Sequence, residues 1–272
     1  MRRAAGAATL RQMPRAIICT HHKTGTVWMS RVFWTIAEAT GATIASIKRK
    51  EPPASAPPSP AIILDIHSAW RKAGFERLHE PGDRVLHVIR DPRDVVISAA
   101  HYHAASAEPW LHQPMEAFDG RTYQQAINAL PEGEARLRFE MHNNSARTIR
   151  HMSLWDYGHP AAIECTYEAL MADTNCDLFG SIAMRLGLDE AVSRRCFWNA
   201  SLFGGLADEP GPRRHVRSGA PRQWEGVFTP SLAREFTTLF GDVLIRLGYE
   251  TDHRWMDRLS ERPDRAGRGE TG

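Results

Sequence analysis

Cysteine is scarce in this chain: Cys19, Cys165, Cys176 and Cys196 stand far apart, with no CxxC pair. That spacing lacks the signature of a structural zinc site or a redox dithiol and reads as buried thiols in a reducing cytoplasm. Nor is charge of one sign in excess. With 34 basic against 32 acidic residues the formal net charge is +2. No polyelectrolyte face for nucleic acid or anionic membrane is therefore expected, and any anion site must be local. Long apolar runs are also missing. No window reaches the roughly 20 apolar residues of a membrane span. Near the N-terminus, Arg11, Gln12 and Arg15 interrupt the stretch that a secretion signal needs. The histidines include the pairs His21/His22 and His101/His103, but these lack the companions of a metal motif, so no metal requirement is expected.

What is present is an ordinary globular balance, 42% hydrophobic and 24% charged, over a length that buries one full core. Apolar runs at Ala16 to Thr20, Ala61 to Ile66, Val85 to Ile89 and 161 to 166 read as buried strands. Helical spacing follows the first, with Trp28, Val32, Ile36 and Ala39 on one stripe and Gly41 as the stop. A second helix opens at Asp91-Pro92, with Asp91 as N-cap and Asp94 placed for a capping box, and runs to about Tyr102. Further helices are expected around 122 to 130, 133 to 152, 167 to 172, 177 to 187 and 189 to 200. A last one spans Ser231 to Leu247, with Leu232, Phe236, Leu239, Phe240 and Leu244 on one stripe. The proline-rich segment 51 to 60 reads as a surface loop. Strands alternating with helices define an α/β protein, a single domain with a mostly parallel sheet flanked by helices. The domain is expected over 16–250, between a flexible N-terminus (1–15) and a flexible tail (256–272).

Two segments carry chemistry. The loop HHKTGTVW at 21 to 28 lies between a strand and a helix N-terminus, where free amides and the helix dipole favour an anion. Gly25 lets the backbone approach closely, Lys23 adds a full charge, and Thr24 and Thr26 add hydroxyls. Lysine here precedes the single glycine, unlike a Walker A loop, so one 5'-phosphate group suits it better than a triphosphate. In HVIRDPRDVVISAAHYH, 87 to 103, Arg90 ends a buried strand and Ser98 lies two turns into the next helix. A guanidinium fork with a hydroxyl is a receptor for a phosphate dianion. The plainer alternative pairs Arg90 with Asp94.

Together these segments resemble the cytosolic sulfotransferases, whose 5'-phosphosulfate loop reads like KTGTVW and whose 3'-phosphate motif reads like IRDPRDVVIS. The resemblance covers roughly residues 16 to 247, with 104 to 160 unmatched, and implies a P-loop-NTPase-like sulfotransferase fold. It implies 3'-phosphoadenosine 5'-phosphosulfate (PAPS) as co-substrate, released as PAP, with no metal required. Lys23, Thr24, Gly25, Thr26, Val27 and Trp28 would hold the phosphosulfate and adenine end, and Arg90 and Ser98 the 3'-phosphate. TYEAL at 166 to 170 resembles the family's turn after the fourth strand, which puts Tyr167 near the adenine. RSGAPRQWEGVFT at 217 to 229 resembles its C-terminal RKG element, which puts Arg217, Ser218 and Gly219 at the 3'-phosphate, with Ser218 replacing a lysine. The segment from Phe228 to Phe236 is loosely similar to the family's dimer-forming stretch, leaving a homodimer open.

Sulfuryl transfer needs a cation for the leaving oxygen and a base for the acceptor hydroxyl. Lys23 suits the first role. For the second, His67 follows a strand at the same edge as Lys23 and Arg90, where the family places its catalytic histidine. Asp65 stands where the family has lysine and either tunes His67 or serves as base itself. His22 is the second candidate base, and His101 and His103 are remoter candidates for the acceptor pocket. The acceptor, a small molecule, lipid or carbohydrate with a hydroxyl, is not encoded in any motif. Trp110, Phe118, Phe139, Trp155 and Tyr157 either line its site or belong to the core. Two rivals remain: a P-loop nucleotide kinase, with IILD at 62 to 65 as a Walker B strand and Asp65 on magnesium, and a nucleotide-binding homologue without turnover.

Overall fold

A computed structural model describes residues 14–47, 61–68, 81–206 and 218–260. The apolar runs become strands β1 (Ala16–Thr20), β3 (Ala61–Asp65), β4 (Arg84–Ile89) and β5 (Ala162–Thr166). A further strand, β2 (Thr43–Ile47), has no counterpart among the expected elements. It pairs only with β3 at the sheet edge and is buried at one residue of five, so its sequence carries no apolar run. The order is β2-β3-β1-β4-β5 with every pair parallel. Strands β1 and β3 are buried at every residue because both faces are covered, as parallel crossovers require.

Alternation within the strands divides the core. Ile18, Leu64, Leu86 and Val88 pack with α1 (Thr26–Thr40), α7 (Asp177–Leu186) and α8 (Glu190–Asn199). Ile17, Cys19, Ile63 and Val85 face the other way, against Trp155. Trp155 is thus core, with its indole N–H donated to Glu164. A second body of apolar contacts joins α2 (Pro92–Ala105) to α3 (Tyr123–Asn128), α4 (Glu134–His142), α5 (Asn144–Ser153) and the C-terminal helices α9 (Trp224–Val227), α10 (Pro230–Phe240) and α11 (Val243–Arg246).

Several expected boundaries move. The buried stripe of α1 is Met29, Val32, Phe33, Ile36 and Ala37, and Ala39 is exposed. The helix expected over 133 to 152 breaks at Asn143, and the one over 231 to 247 breaks at Gly241, so Leu239 turns to solvent while Leu232, Phe236 and Leu244 stay buried. The capping box at Asp94 does not form: the Asp91 N–H goes to Glu168 instead, although Asp91 caps α2 by accepting from Arg93 N. Packed chain continues past 250 to a last helix, α12 (Asp257–Ser260), because Trp255 and Leu259 are buried. The proline-rich loop, Arg217 and most of both expected tails lie outside the described residues. All four cysteines are free and buried. Among the described residues no helix is long and apolar enough to cross a membrane.

Candidate active site

Parallel pairing brings the C-terminal ends of β1, β3 and β4 to one edge, where the strand order also reverses, the place at which open α/β sheets hold ligands. The loop after β1 is shaped by two left-handed residues, Lys23 (φ 65°) and Gly25 (φ 99°), the latter capping α1. A lysine in that region costs free energy, so the conformation persists because its surroundings fix it. His21 supplies much of that fixing. Its N–H donates to Thr24 Oγ1, and its carbonyl accepts from the hydroxyls of Thr24 (3.0 Å) and Thr26 (2.9 Å). These two hydroxyls, expected to face the ligand, instead brace the loop. The amides of Thr26 to Trp28, in the first turn of α1, have no carbonyl four residues back in the helix and point out of its N-terminus.

Gly25 is required for a second reason. A Cβ there would stand 3.0 Å from Tyr167 Cδ2. Tyr167, which begins α6 (Tyr167–Ala172), is buried, lies edge-on to Trp28, and donates its hydroxyl to the Gly219 carbonyl at 2.7 Å. Trp28 stacks on Phe197 at 5.1 Å, and its buried indole N–H has no partner among the described residues.

Arg90 lies between these parts, just after β4. It is buried, its carbon centre 4.4 Å above the Tyr167 ring, and its two terminal nitrogens donate to the Lys23 and Ala220 carbonyls at 3.4 Å, the long end of the hydrogen-bond range. Its Nε has no partner among the described residues, and Asp94 is 3.7 Å away. The expected Arg90–Asp94 pair is thus present but loose. Asp94 instead accepts the Trp224 N–H at 3.0 Å; burial pushes its carboxyl up to about 6, against the pull of Arg90. Ser98 is the partly exposed position in an otherwise buried stretch of α2. Arg90 thus stands just before, and Ser98 within, the helix that follows β4. Ser218 is exposed, and its hydroxyl accepts from Ala220 N, closing the local turn.

Arg93, in the same motif, is a rivet that sequence reasoning missed. It is buried, binds Asp91 through Nε and Nη2 (3.0 and 2.7 Å), reaches Glu250 at 2.7 Å, and lies 3.5 Å over Trp224. The first turn of α2 thereby holds the C-terminal segment bearing Ser218 and Gly219. Glu168 adds a tie, accepting from Asp91 N and the Tyr249 hydroxyl.

The catalytic candidates meet at the same edge. Lys23 Nζ sits 3.7 Å over the Tyr102 ring. Burial, then Arg90, brings its ammonium down to about 8, with Glu108 and Glu140 opposing. His67 is exposed just beyond β3; its N–H donates to Asp65 Oδ1, and Ser68 ties this turn to the Thr20 carbonyl at 2.8 Å. Asp65 itself is buried and accepts from Cys19 Sγ. His22 contacts His103, which is fully buried behind it rather than lining an open pocket, and His101 is exposed. Trp110, Phe118 and Phe139 are partly exposed and cluster with Tyr123 near His103. Among the described residues no group of three or more His, Cys, Asp and Glu is placed to hold a metal ion.

No family model matches the chain, and no curated protein matches it. Solved structures do. Mouse sulfotransferase SULT7A1 complexed with PAP superposes with TM-score 0.55 at 16% identity, over 92% of this chain and 90% of its own. Retinol dehydratase in complex with androsterone and inactive cofactor PAP gives 0.47 at 15% identity, over 87% and 83%. A sulfotransferase from Alicyclobacillus acidocaldarius gives 0.43 at 15% identity, over 86% and 94%. The second and third are weaker likenesses. The parallel sheet and the near full-length superposition on the mouse protein give this chain the sulfotransferase fold.

Proposed function

We propose that this chain is a sulfotransferase that moves the sulfuryl group of PAPS to a hydroxyl of a small-molecule, lipid or carbohydrate acceptor and releases PAP. The observation that carries this reading is the underbonded Arg90. It is buried, with Nε unpaired among the described residues and both terminal nitrogens at 3.4 Å, between the Lys23 loop and the Gly219–Ala220 turn. A buried guanidinium so poorly matched favours a phosphate oxygen. Tyr167 and Trp28 offer an aromatic flank for adenine, and the unpaired indole N–H of Trp28 is a donor for it. The amides of Thr26 to Trp28 suit the 5'-phosphosulfate, with Lys23 beside the bridging oxygen on which charge develops as the S–O bond breaks. The resemblance assigns Ser98 with Arg90 to the 3'-phosphate, together with Arg217, Ser218 and Gly219.

The acceptor's proton needs a base at this edge. His67 stands where the resemblance puts it, and His22 is the other histidine there. Incubation with ³⁵S-labelled PAPS and a panel of phenols, hydroxysteroids, primary alcohols and sugars, in EDTA, tests the reading. Label is expected in at least one acceptor. Labelling of none, with phosphate transfer from ATP and Mg²⁺ instead, would replace it by the kinase reading.

A further inference from the structure

The two consecutive histidines of the β1 loop each meet a second histidine backed by a glutamate, and the two chains end differently. His21 Nε2 is 2.8 Å from His87 Nε2, and His87 Nδ1 is 2.6 Å from Glu164. The rings of His21 and His87 are buried, and His87 lies flat against Trp155 at 3.8 Å, so this chain serves the sheet interior. His22 Nε2 is 2.9 Å from His103 Nε2, and His103 Nδ1 is 2.6 Å from Glu140 Oε1. His22, however, is only partly buried and lies next to Lys23 at the substrate edge.

Hydrogen-bond counting fixes the protons of the second chain. Glu140 is fully buried and receives three donors: His103 Nδ1, the Tyr123 hydroxyl at 3.0 Å and the Ser145 hydroxyl at 2.9 Å. With three donors aimed at its two oxygens, Glu140 acts here as an acceptor. Burial and Glu140 keep the Tyr123 phenol protonated, as a donor must be. His103 therefore carries its proton on Nδ1, and its Nε2 is the acceptor. The Asn144 amide nitrogen, 3.3 Å from that same Nε2, agrees. His22 must then donate from Nε2, which leaves its Nδ1 a bare lone pair with no hydrogen-bond partner among the described residues.

We propose that His22 Nδ1 takes the acceptor's proton, with His103 and Glu140 as positioning residues that fix the tautomer and carry the charge inward. This rests on the sulfotransferase reading. As the acceptor oxygen bonds to sulfur and the sulfur bond to the PAP oxygen breaks, the hydroxyl proton moves to His22 Nδ1. The proton on His22 Nε2 passes to His103 Nε2. The positive charge so formed sits 2.6 Å from the Glu140 carboxylate, and the proton returns by the same route after product leaves. Burial, then His103, Lys23, Arg147 and His67, disfavours a charged His22, which keeps the base free before reaction. His67 is left with orienting the acceptor.

Two measurements on the full-length protein decide this. Long-range ¹H–¹⁵N spectra of the imidazoles, without nucleotide, should show the Nε2–H tautomer for His22 and Nδ1–H for His103; the Nδ1–H tautomer at His22 would overturn the proposal. In the ³⁵S assay, His22→Asn should lower kcat by about 10²- to 10³-fold, the scale of a lost general base, with PAP affinity within about threefold. Glu140→Gln should lower kcat by roughly tenfold or more at unchanged KM for PAPS, with Glu140→Asp recovering part. His67→Ala should lose less than His22→Asn. Retained turnover in His22→Asn with abolished turnover in His67→Ala would return the base to His67. A wild-type protein that binds no PAP would remove the donor reading itself, whatever the tautomers.

Discussion

At Lys23 and Gly25 the loop backbone is left-handed, and only the second residue is built for it. Gly25→Ala would add left-handed strain of about 1–2 kcal/mol and a Cβ 3.0 Å from the Tyr167 ring. PAP affinity should fall by about tenfold or more, since 1.4 kcal/mol is one decade; a dissociation constant within twofold of wild type would contradict this. Lys23 gives a pH signature. With its ammonium brought down to about 8 by burial and Arg90, free protein is partly neutral there at pH 8, and a bound phosphate anion restores the proton. Binding should therefore take up protons, and affinity should weaken as pH rises through about 8. Calorimetry in buffers of different ionisation enthalpy reads this directly, and Lys23→Met should abolish it. An affinity flat from pH 7 to 9 would contradict it. Lys23 and Arg90 were legible in the sequence because each closely follows an apolar run whose strand nature is plain. Glu140 was not: it lies 37 residues from His103 on another helix, and nothing in either segment announces the contact.

At the scale of elements, the first turn of α2 holds more than it binds. Arg93 joins Asp91, Glu250 and Trp224, so Arg93→Met strips the buried Asp91 of its guanidinium, while Glu250 keeps its bridge to Arg258. Loss of one partner from such a buried network costs about 3–5 kcal/mol, to be read as a shift in urea midpoint at constant slope; a loss below about 1 kcal/mol would refute the rivet. Asp94 works in the opposite sense. Its carboxyl is raised from 3.8 to about 6, so the folded state holds a proton that the unfolded chain has released. That contribution to stability is fully present below about 3.8 and is lost as pH rises through about 6. In Asp94→Asn this falling limb should flatten, since the amide oxygen still accepts the Trp224 N–H; an unchanged pH profile would exclude Asp94 as its source. The motif IRDPRD showed its charges but not their division of labour, because the partners of Arg93 and Asp94 lie 157 and 130 residues away. Strand β2 escaped for another reason: an edge strand with one buried residue has no pattern to read.

For the whole molecule, the sheet order is what turns separate segments into one site. The loop after β1, the turn after β3 and the helix after β4 are far apart in the chain and adjacent only because β1 lies between β3 and β4. The α/β class and four of five strands followed from apolar runs, whereas the packing of 104 to 160 behind His22, which completes the proton path, depends on long-range contacts that no local motif encodes. On the proposed reading, this edge binds a 3',5'-bisphosphorylated adenosine without help from metal. Titration of PAP into the whole 272-residue chain in EDTA reads this binding. One PAP per chain is expected to bind, at least tenfold more weakly in Arg90→Met. Absence of binding at millimolar PAP, with ATP and Mg²⁺ binding in its place, would contradict it.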